Sequence, residues 1–365
     1  MTTHIFIVNE STFPAHLEYM FAGTSSNKRD WNIALLADIK RVRTGDKVIF
    51  YFERVGFYGI FKVKKNVDAE GKHLIYYDKN NNCNGRLGKR LLYRILIEPD
   101  EVYSKPINEW DALEKLPDNP RDIIWSLIYR KLKGGRGCTP VTPKESNRLI
   151  NLIREANNNK TLNSQHFSWA DGRIVEANRT FKYDTANAII MNIEEVLYPH
   201  RRAETYLQAF FTENIGIPKF DNTMFSRICG GSEEITWIGN EVFCGVGMQK
   251  IDIFTILNIE GKARFNVIEL KVAIDTNICN QLERYVKWCL DYLNGTGNGV
   301  TPQNLYPTIV LPKAVKEKNK AGVAQIENSL RKFNNVFKGK CQQVKYFEYC
   351  FDKERKIIFT ERESN

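Results

Sequence analysis

Two apolar runs, residues 249–257 and 264–271, flank the short polar turn Asn258-Ile259-Glu260-Gly261. That layout predicts a β-hairpin. Side chains on a strand leave alternate faces, so Glu269 and Lys271 share one face while Leu270 points into the core. Asp252, on the neighbouring strand, can then sit beside them. Two carboxylates and an ammonium on one face form a costly arrangement unless something binds there. A hard divalent cation held by carboxylate oxygens would remove the like-charge penalty. The acid-x-Lys triplet alone means little, since it recurs at Asp38–Lys40, Glu70–Lys72, Glu260–Lys262 and Glu354–Lys356. The context of 269–271 is different: an apolar strand, an upstream acid, and a following helix over 277–293 that carries Gln281 and Tyr285. Residues four apart share a helical face, so these two point together. The competing explanation is a salt-bridged hairpin beside an ordinary helix face.

Around this hairpin the sequence reads as alternating strands and helices. A helix is expected over 203–214, strands at 235–243, 306–311, 344–350 and 356–360, and a helix at 322–336. The pattern is a mixed sheet flanked by helices. The front of the chain predicts strands at 4–9, 47–52, 57–63, 73–77 and 91–98, with helices around 12–22, 121–133 and 142–156. Lys47-Val48-Ile49-Phe50-Tyr51-Phe52 is almost continuously apolar, as a strand buried on both faces would be. Thr142-Pro143-Lys144-Glu145 carries the signature of a capping box, with Thr142 as N-cap, Pro143 at N1 and Glu145 at N3. The polar stretch 157–165 reads as a linker. A strand at 173–177 is all that can be placed before residue 200. The chain therefore divides into a module over 1–156, a connecting segment over 157–200 and a second module over 201–365.

The formal net charge is +10. Residues 1–156 hold 26 Lys and Arg against 19 Asp and Glu, or +7, and the remainder contributes +3. A basic front half suits a polyanionic partner, because neutralised phosphates release condensed counterions. Eight cysteines are scattered without a Cys-x-x-Cys pair and five histidines are unclustered. This argues against a structural zinc site or a disulfide framework and for reduced, cytoplasmic thiols. No run approaches the roughly 20 apolar residues of a membrane span, and the first residues read as a strand rather than a signal peptide.

Gly247 through Asp252, Val267-Ile268-Glu269-Leu270-Lys271 and Gln281-Leu-Glu-Arg-Tyr285-Val-Lys-Trp288 resemble the PD-(D/E)XK nuclease superfamily. Within it they are similar to the RecB-like branch with a Gln-x-x-x-Tyr helix and to the EndoMS-like nuclease domain. The resemblance spans about residues 200–350. It implies that Asp252 and Glu269 ligate Mg²⁺ (or Mn²⁺), with the Leu270 carbonyl as a further ligand. Lys271 would position or polarise the attacking water, Gln281 would steady the site, and Glu204 would assist metal binding.

Phe6-Ile-Val-Asn9, Asn27-Lys-Arg-Asp-Trp31, Thr44 to Tyr51, Gly56 to Ile60 and the Pro140 to Glu145 segment look like the EVE/YTH group of PUA-like domains. That resemblance implies a β-barrel with helices and a pocket that reads modified bases. Such a pocket takes an unstacked base between aromatic faces and fixes its edge by hydrogen bonds. Trp31 is the leading candidate, with Ser25, Ser26 and Asn27 beside it and with Tyr51 and Trp125 behind. Core packing is the competing role for each aromatic. Lys28, Arg29, Arg41 and Arg43 are candidate phosphate contacts. The combined expectation is an α+β protein of two domains acting on double-stranded DNA as a homodimer, one site per strand: a modification-dependent endonuclease. A mismatch- or structure-directed nuclease and a non-catalytic binder of modified nucleic acid stand as alternatives.

Overall fold

The computed structural model describes the chain apart from residues 25–32, 73–74, 78–82, 84, 88–90, 115–136, 179–180, 184, 186–191, 245–248, 295–298, 315–316 and 363–365. It divides into two compact units, Met1–Met191 and Asn192–Asn365.

The first unit runs β1 (Thr3–Val8), α1 (Phe13–Tyr19), β2 (Phe21–Thr24), α2 (Ile33–Lys40), β3 (Lys47–Phe52), β4 (Gly56–Val63), β5 (Tyr76–Tyr77), β6 (Tyr93–Pro99), β7 (Ile107–Asn108), α3 (Glu109–Glu114), β8 (Cys138–Val141) and α4 (Pro143–Ala156). A hairpin of β9 (Phe167–Ala170) and β10 (Arg173–Glu176) follows. The main sheet has the order β2-β6-β4-β3-β1-β8, with β5 added to β6 and β7 to β4. Strand β1 lies parallel to β3 and antiparallel to β8. The strand path is open, so the expected barrel is not closed by strand hydrogen bonds among the described residues. Its two ends nevertheless come together: a Cβ on Gly137, just before β8, would lie 1.7 Å from Thr24 Oγ1 at the end of β2. Only a glycine fits that approach.

Every residue of β3 after Lys47 is buried, as its apolar run requires. Asp46, in the turn before it, accepts from the backbone N–H groups of Thr2 at 2.8 Å and Arg43 at 3.0 Å, and its carboxylate meets His4 Nε2 at 2.8 Å. The Gly45-Asp46 pair thereby fastens the start of β3 to β1. The capping box of α4 is complete: Thr142 Oγ1 accepts from the Glu145 N–H and Glu145 Oε2 accepts from the Thr142 N–H.

The segment expected to connect two modules over 157–200 divides differently. Its hairpin belongs to the first unit, where Trp169 stacks on Phe52 at a centroid distance of 5.2 Å and Tyr58 donates to the Gly172 carbonyl at 2.8 Å. Short strands of mixed polarity hide this packing in the sequence.

The second unit runs α5 (Ile193–Leu197), α6 (Glu204–Asn214), α7 (Met224–Cys229), β11 (Ile235–Phe243), β12 (Lys250–Ile259), β13 (Lys262–Leu270), α8 (Ile278–Trp288), β14 (Leu305–Pro312), α9 (Glu317–Val336), β15 (Lys345–Phe351) and β16 (Ile357–Arg362). Its six strands lie in chain order in one mixed sheet. The pairs β13–β14 and β14–β15 are parallel, with α8 and α9 as crossovers, and the outer pairs are antiparallel. The β12–β13 turn has Glu260 at φ 50° and Gly261 at φ 80°. Two left-handed residues in a two-residue loop suit the twist of a hairpin and fix its register. Helix α8 buries Ile278, Leu282, Tyr285 and Val286, one stripe at helical spacing. Burying each large aliphatic side chain of that stripe stabilises by roughly 1.5–3 kcal/mol. None of the eight cysteines is joined in a disulfide among the described residues. Among the described residues no helix is long and apolar enough to cross a membrane.

Candidate active site

The hairpin register pairs Ile253 with Ile268, so one step further Asp252 and Glu269 come level on adjacent strands. Both are buried, at 6% and 1% exposure. Asp252 Oδ2 accepts from the Leu270 N–H at 2.8 Å, which locks the acid against the neighbouring strand. Lys271 Nζ donates to Glu269 Oε1 at 2.5 Å and to the Leu270 carbonyl at 3.2 Å. Its backbone N–H bonds the Val310 carbonyl of β14. The predicted trio is thus gathered at one end of the sheet.

Electrostatics there are strained. Burial pushes the Asp252 carboxyl well above the usual range, and the charges of Glu269 and Glu204 add to the shift against the pull of Lys271. Burial likewise raises Glu269, despite Lys271 beside it. Burial alone would lower the Lys271 ammonium, but Glu269, Asp252 and Glu204 outweigh it and hold the lysine protonated. The phenol of Tyr285 is pushed up by burial and then by Glu269 and Asp252.

Two buried oxygens of the motif residues, Glu269 Oε2 and Gln281 Oε1, have no hydrogen-bond partner among the described residues. Leaving such a group unpaired costs about 1–3 kcal/mol. Hard oxygen donors that repel one another and lack protons to accept fit a divalent cation. Asp252, Glu269 and the Leu270 carbonyl would hold it, and Gln281 lies one helical turn before Tyr285, whose phenol feels the charges of Glu269 and Asp252. Among the described residues no group of three or more His, Cys, Asp or Glu side chains is suited to hold a metal. Two carboxylates suffice for Mg²⁺, which keeps several waters and uses substrate phosphate oxygens. Glu204, expected to assist metal binding, has its carboxylate 3.6 Å from Lys271 Nζ.

Several residues here escaped sequence reasoning. Gln208 of α6 donates from Nε2 to Asp252 Oδ1 at 2.9 Å and lies 3.4 Å from Glu241 Oε1. Its i,i+4 spacing from Glu204 was the available signal. Tyr349 donates to the Lys271 carbonyl at 3.3 Å. The Cys244 thiol is pushed up by burial and then by Glu269, which places a neutral side chain beside the acids.

The candidates for base recognition fare differently. Trp31, Ser25, Ser26, Asn27 and Trp125 lie outside the described residues, as do Lys28 and Arg29 and the helix expected over 121–133. Tyr51 is described and is not an open stacking face. It is 1% exposed, packs on Phe57 at 4.9 Å and donates its hydroxyl to Glu109 Oε2 at 2.6 Å. An aromatic in a doubly buried strand belongs to the core. Arg41 is fully buried, with one guanidinium nitrogen 3.5 Å from Asp38, and Arg43 donates to the Lys40 and Val42 carbonyls. Both arginines expected at phosphates thus serve the fold of the first unit.

No known family profile matches the chain, and no curated protein matches it. Among solved structures it bears a loose likeness to the structure of restriction endonuclease FokI, with 12% identity and a TM-score of 0.24. The match covers 60% of this chain and 37% of that one, so the chain spans well under half of that protein's length. A superposition so loose carries no argument about function.

Proposed function

We propose that this chain is a metal-dependent DNA endonuclease of the PD-(D/E)XK kind, directed to modified DNA by its front module. One observation carries the reading: Asp252 and Glu269 lie level and buried on adjacent strands, Lys271 is clamped to Glu269, and a buried Glu269 oxygen has no partner among the described residues. The motif resemblance over residues 247–288 points the same way.

Phosphodiester hydrolysis forms a bond from a water oxygen to phosphorus and breaks the bond to the leaving sugar oxygen. Negative charge builds on the phosphate oxygens as this happens. Bound Mg²⁺ or Mn²⁺ supplies Lewis acidity toward the phosphate and lowers the pKa of water. The chain's own residues do the rest. Lys271, held protonated, sets a positive charge beside the reacting phosphate. Gln208 and the Leu270 N–H fix the direction of the Asp252 carboxylate. Tyr285 and Gln281 close the α8 side. Two strands require two cuts, so a homodimer supplies one site to each. The basic balance of residues 1–156 and their EVE/YTH resemblance support base reading by the front module.

The test is a panel of duplexes carrying methylated, hydroxymethylated, glucosylated and plain bases, incubated with Mg²⁺, Mn²⁺ or EDTA. Metal-dependent cleavage that favours one modification is the expected result. Equal cleavage of modified and plain duplexes would remove the base-reading part and favour a mismatch- or structure-directed nuclease. Tight metal-independent binding without cleavage of any duplex would replace the enzyme with a binding protein.

A further inference from the structure

On the sheet face opposite Glu269, three cations converge on a polar cavity of about 430 Å³: Arg227 of α7, Arg264 of β13 and Lys345 at the start of β15. Sheet register explains the meeting. Arg264 lies five residues before Glu269, an odd number of steps, and so leaves the other face. Asn266 pairs with Tyr306, and Ile268 and Lys345 both pair with Thr308, which puts Tyr306 and Lys345 on the face of Arg264.

The Arg264 guanidinium is preorganised. It stacks on the Tyr306 ring at 4.1 Å and its Nε donates to Asn266 Oδ1 at 2.9 Å. Asn266 cannot turn away, because its amide nitrogen is committed to Thr255 Oγ1 at 3.1 Å and the Cys229 carbonyl at 3.3 Å. Both terminal nitrogens of the fork are left without a hydrogen-bond partner among the described residues, and Lys345 Nζ likewise makes no ion pair there. Acids are close, and the charge of Glu234 acts on Arg264. Asp221 accepts from the Ser232 N–H and hydroxyl, Glu234 accepts from the Gly231 N–H, and Glu361 pairs with Arg227. Glu233 also lines the cavity. Burial lowers the pKa of Lys345, and Arg264 and Arg227 lower it further against the pull of Glu361. Burial lowers that of Arg264. An anion would relieve both.

We propose that Arg264, Lys345 and Arg227 form a binding site for a phosphate group, separate from the candidate active site and independent of the nuclease reading. A planar fork with two unused N–H edges matches an oxyanion bidentately. The Lys345 ammonium beside the fork adds a second charge toward a tetrahedral anion, while Arg227 lines the cavity with its charge already paired to Glu361. The group can come from free phosphate or from a nucleic-acid backbone, and the two are separable.

The experiment is thermal melting of the full chain in EDTA, titrated with inorganic phosphate against sodium chloride of equal ionic strength. A second arm measures binding of a short single-stranded oligonucleotide. The wild type should show a saturable, phosphate-specific rise in Tm. Arg264→Lys keeps the charge but loses the fork, and Lys345→Gln removes the ammonium with little packing change. Each should weaken phosphate roughly tenfold, the scale of one charge-assisted hydrogen bond. If the same variants also weaken the oligonucleotide, the backbone is the source; if only the phosphate arm changes, free phosphate is. Absence of a phosphate-specific shift in the wild type, with unchanged oligonucleotide binding in both variants, overturns the site. Equal phosphate stabilisation of wild type and both variants overturns it too.

Discussion

Gln208 Nε2 donates to Asp252 Oδ1 across 2.9 Å, one helical turn beyond Glu204, whose carboxylate approaches Lys271. One face of α6 therefore supports both an acid and the lysine of the site. Groups that hold a ligand by hydrogen bonds typically contribute 10–100-fold in metal affinity or activity. Gln208→Leu is expected to cost about that much in Mn²⁺ affinity, read by calorimetry, with the far-UV circular dichroism unchanged. Gln208→Asn, which keeps the amide but shortens the reach, should recover little. Wild-type affinity in the leucine variant would show that Asp252 needs no such support.

Asp252→Asn should abolish cleavage while binding of duplex DNA persists, because the acid is buried and contributes little surface charge. Lys271→Ala should lower the cleavage rate by at least about 100-fold, the usual scale for a group that stabilises developing charge. Gel assays of cleavage and filter binding on the same preparations decide it. Cutting by either variant at the wild-type rate would remove that residue from the chemistry.

Stability and pH are linked through the same acids. A carboxyl whose folded pKa lies above its unfolded value makes the folded chain bind the extra proton, so its contribution falls as pH rises from the ordinary carboxylate range through the raised value. Asp252 and Glu269 are both raised by burial. The Tm of the metal-free chain should therefore fall relative to that of Glu269→Gln as pH climbs above about 4. Added Mg²⁺ should restore the wild type most at the higher pH, since metal binding competes with protons. A gap between the two proteins that stays constant from acid to neutral pH would count against the raised pKa values.

The reciprocal hydrogen bonds of Thr142 and Glu145 at the head of α4 give a test of the first unit. Thr142→Ala removes one half of the box and should cost about 0.5–2 kcal/mol in urea unfolding. The helix borders the cluster of Leu149, Ile150, Leu152 and Ile153 with Ile5 and Ile49, so loss of the cap should be felt by the whole unit.

Much of the second unit was legible because its strands are long apolar runs and α8 carries one clear buried stripe. The turn at Glu260 and Gly261 announced itself through a glycine between two such runs. What escaped was short or distant. The strand Phe21–Thr24 and the helix Met224–Cys229 are too brief for periodicity to register. Gln208 meets Asp252 only through tertiary folding, across 44 positions of chain, and an uncharged amide leaves no mark in a charge pattern. Tyr51 misled for the opposite reason: its aromatic ring suggested a ligand face, whereas its neighbours in Lys47–Phe52 had already committed the strand to the interior.

The tight bend at Glu260 and Gly261 acts as a ruler for the acids eight residues to either side. Lengthening it by one residue would slide one strand past the other and turn an entire row of side chains over. Asp252 and Glu269 would then look in opposite directions although neither had been altered. Length variation should accordingly be far less tolerated at this bend than in the loops between the parallel strands.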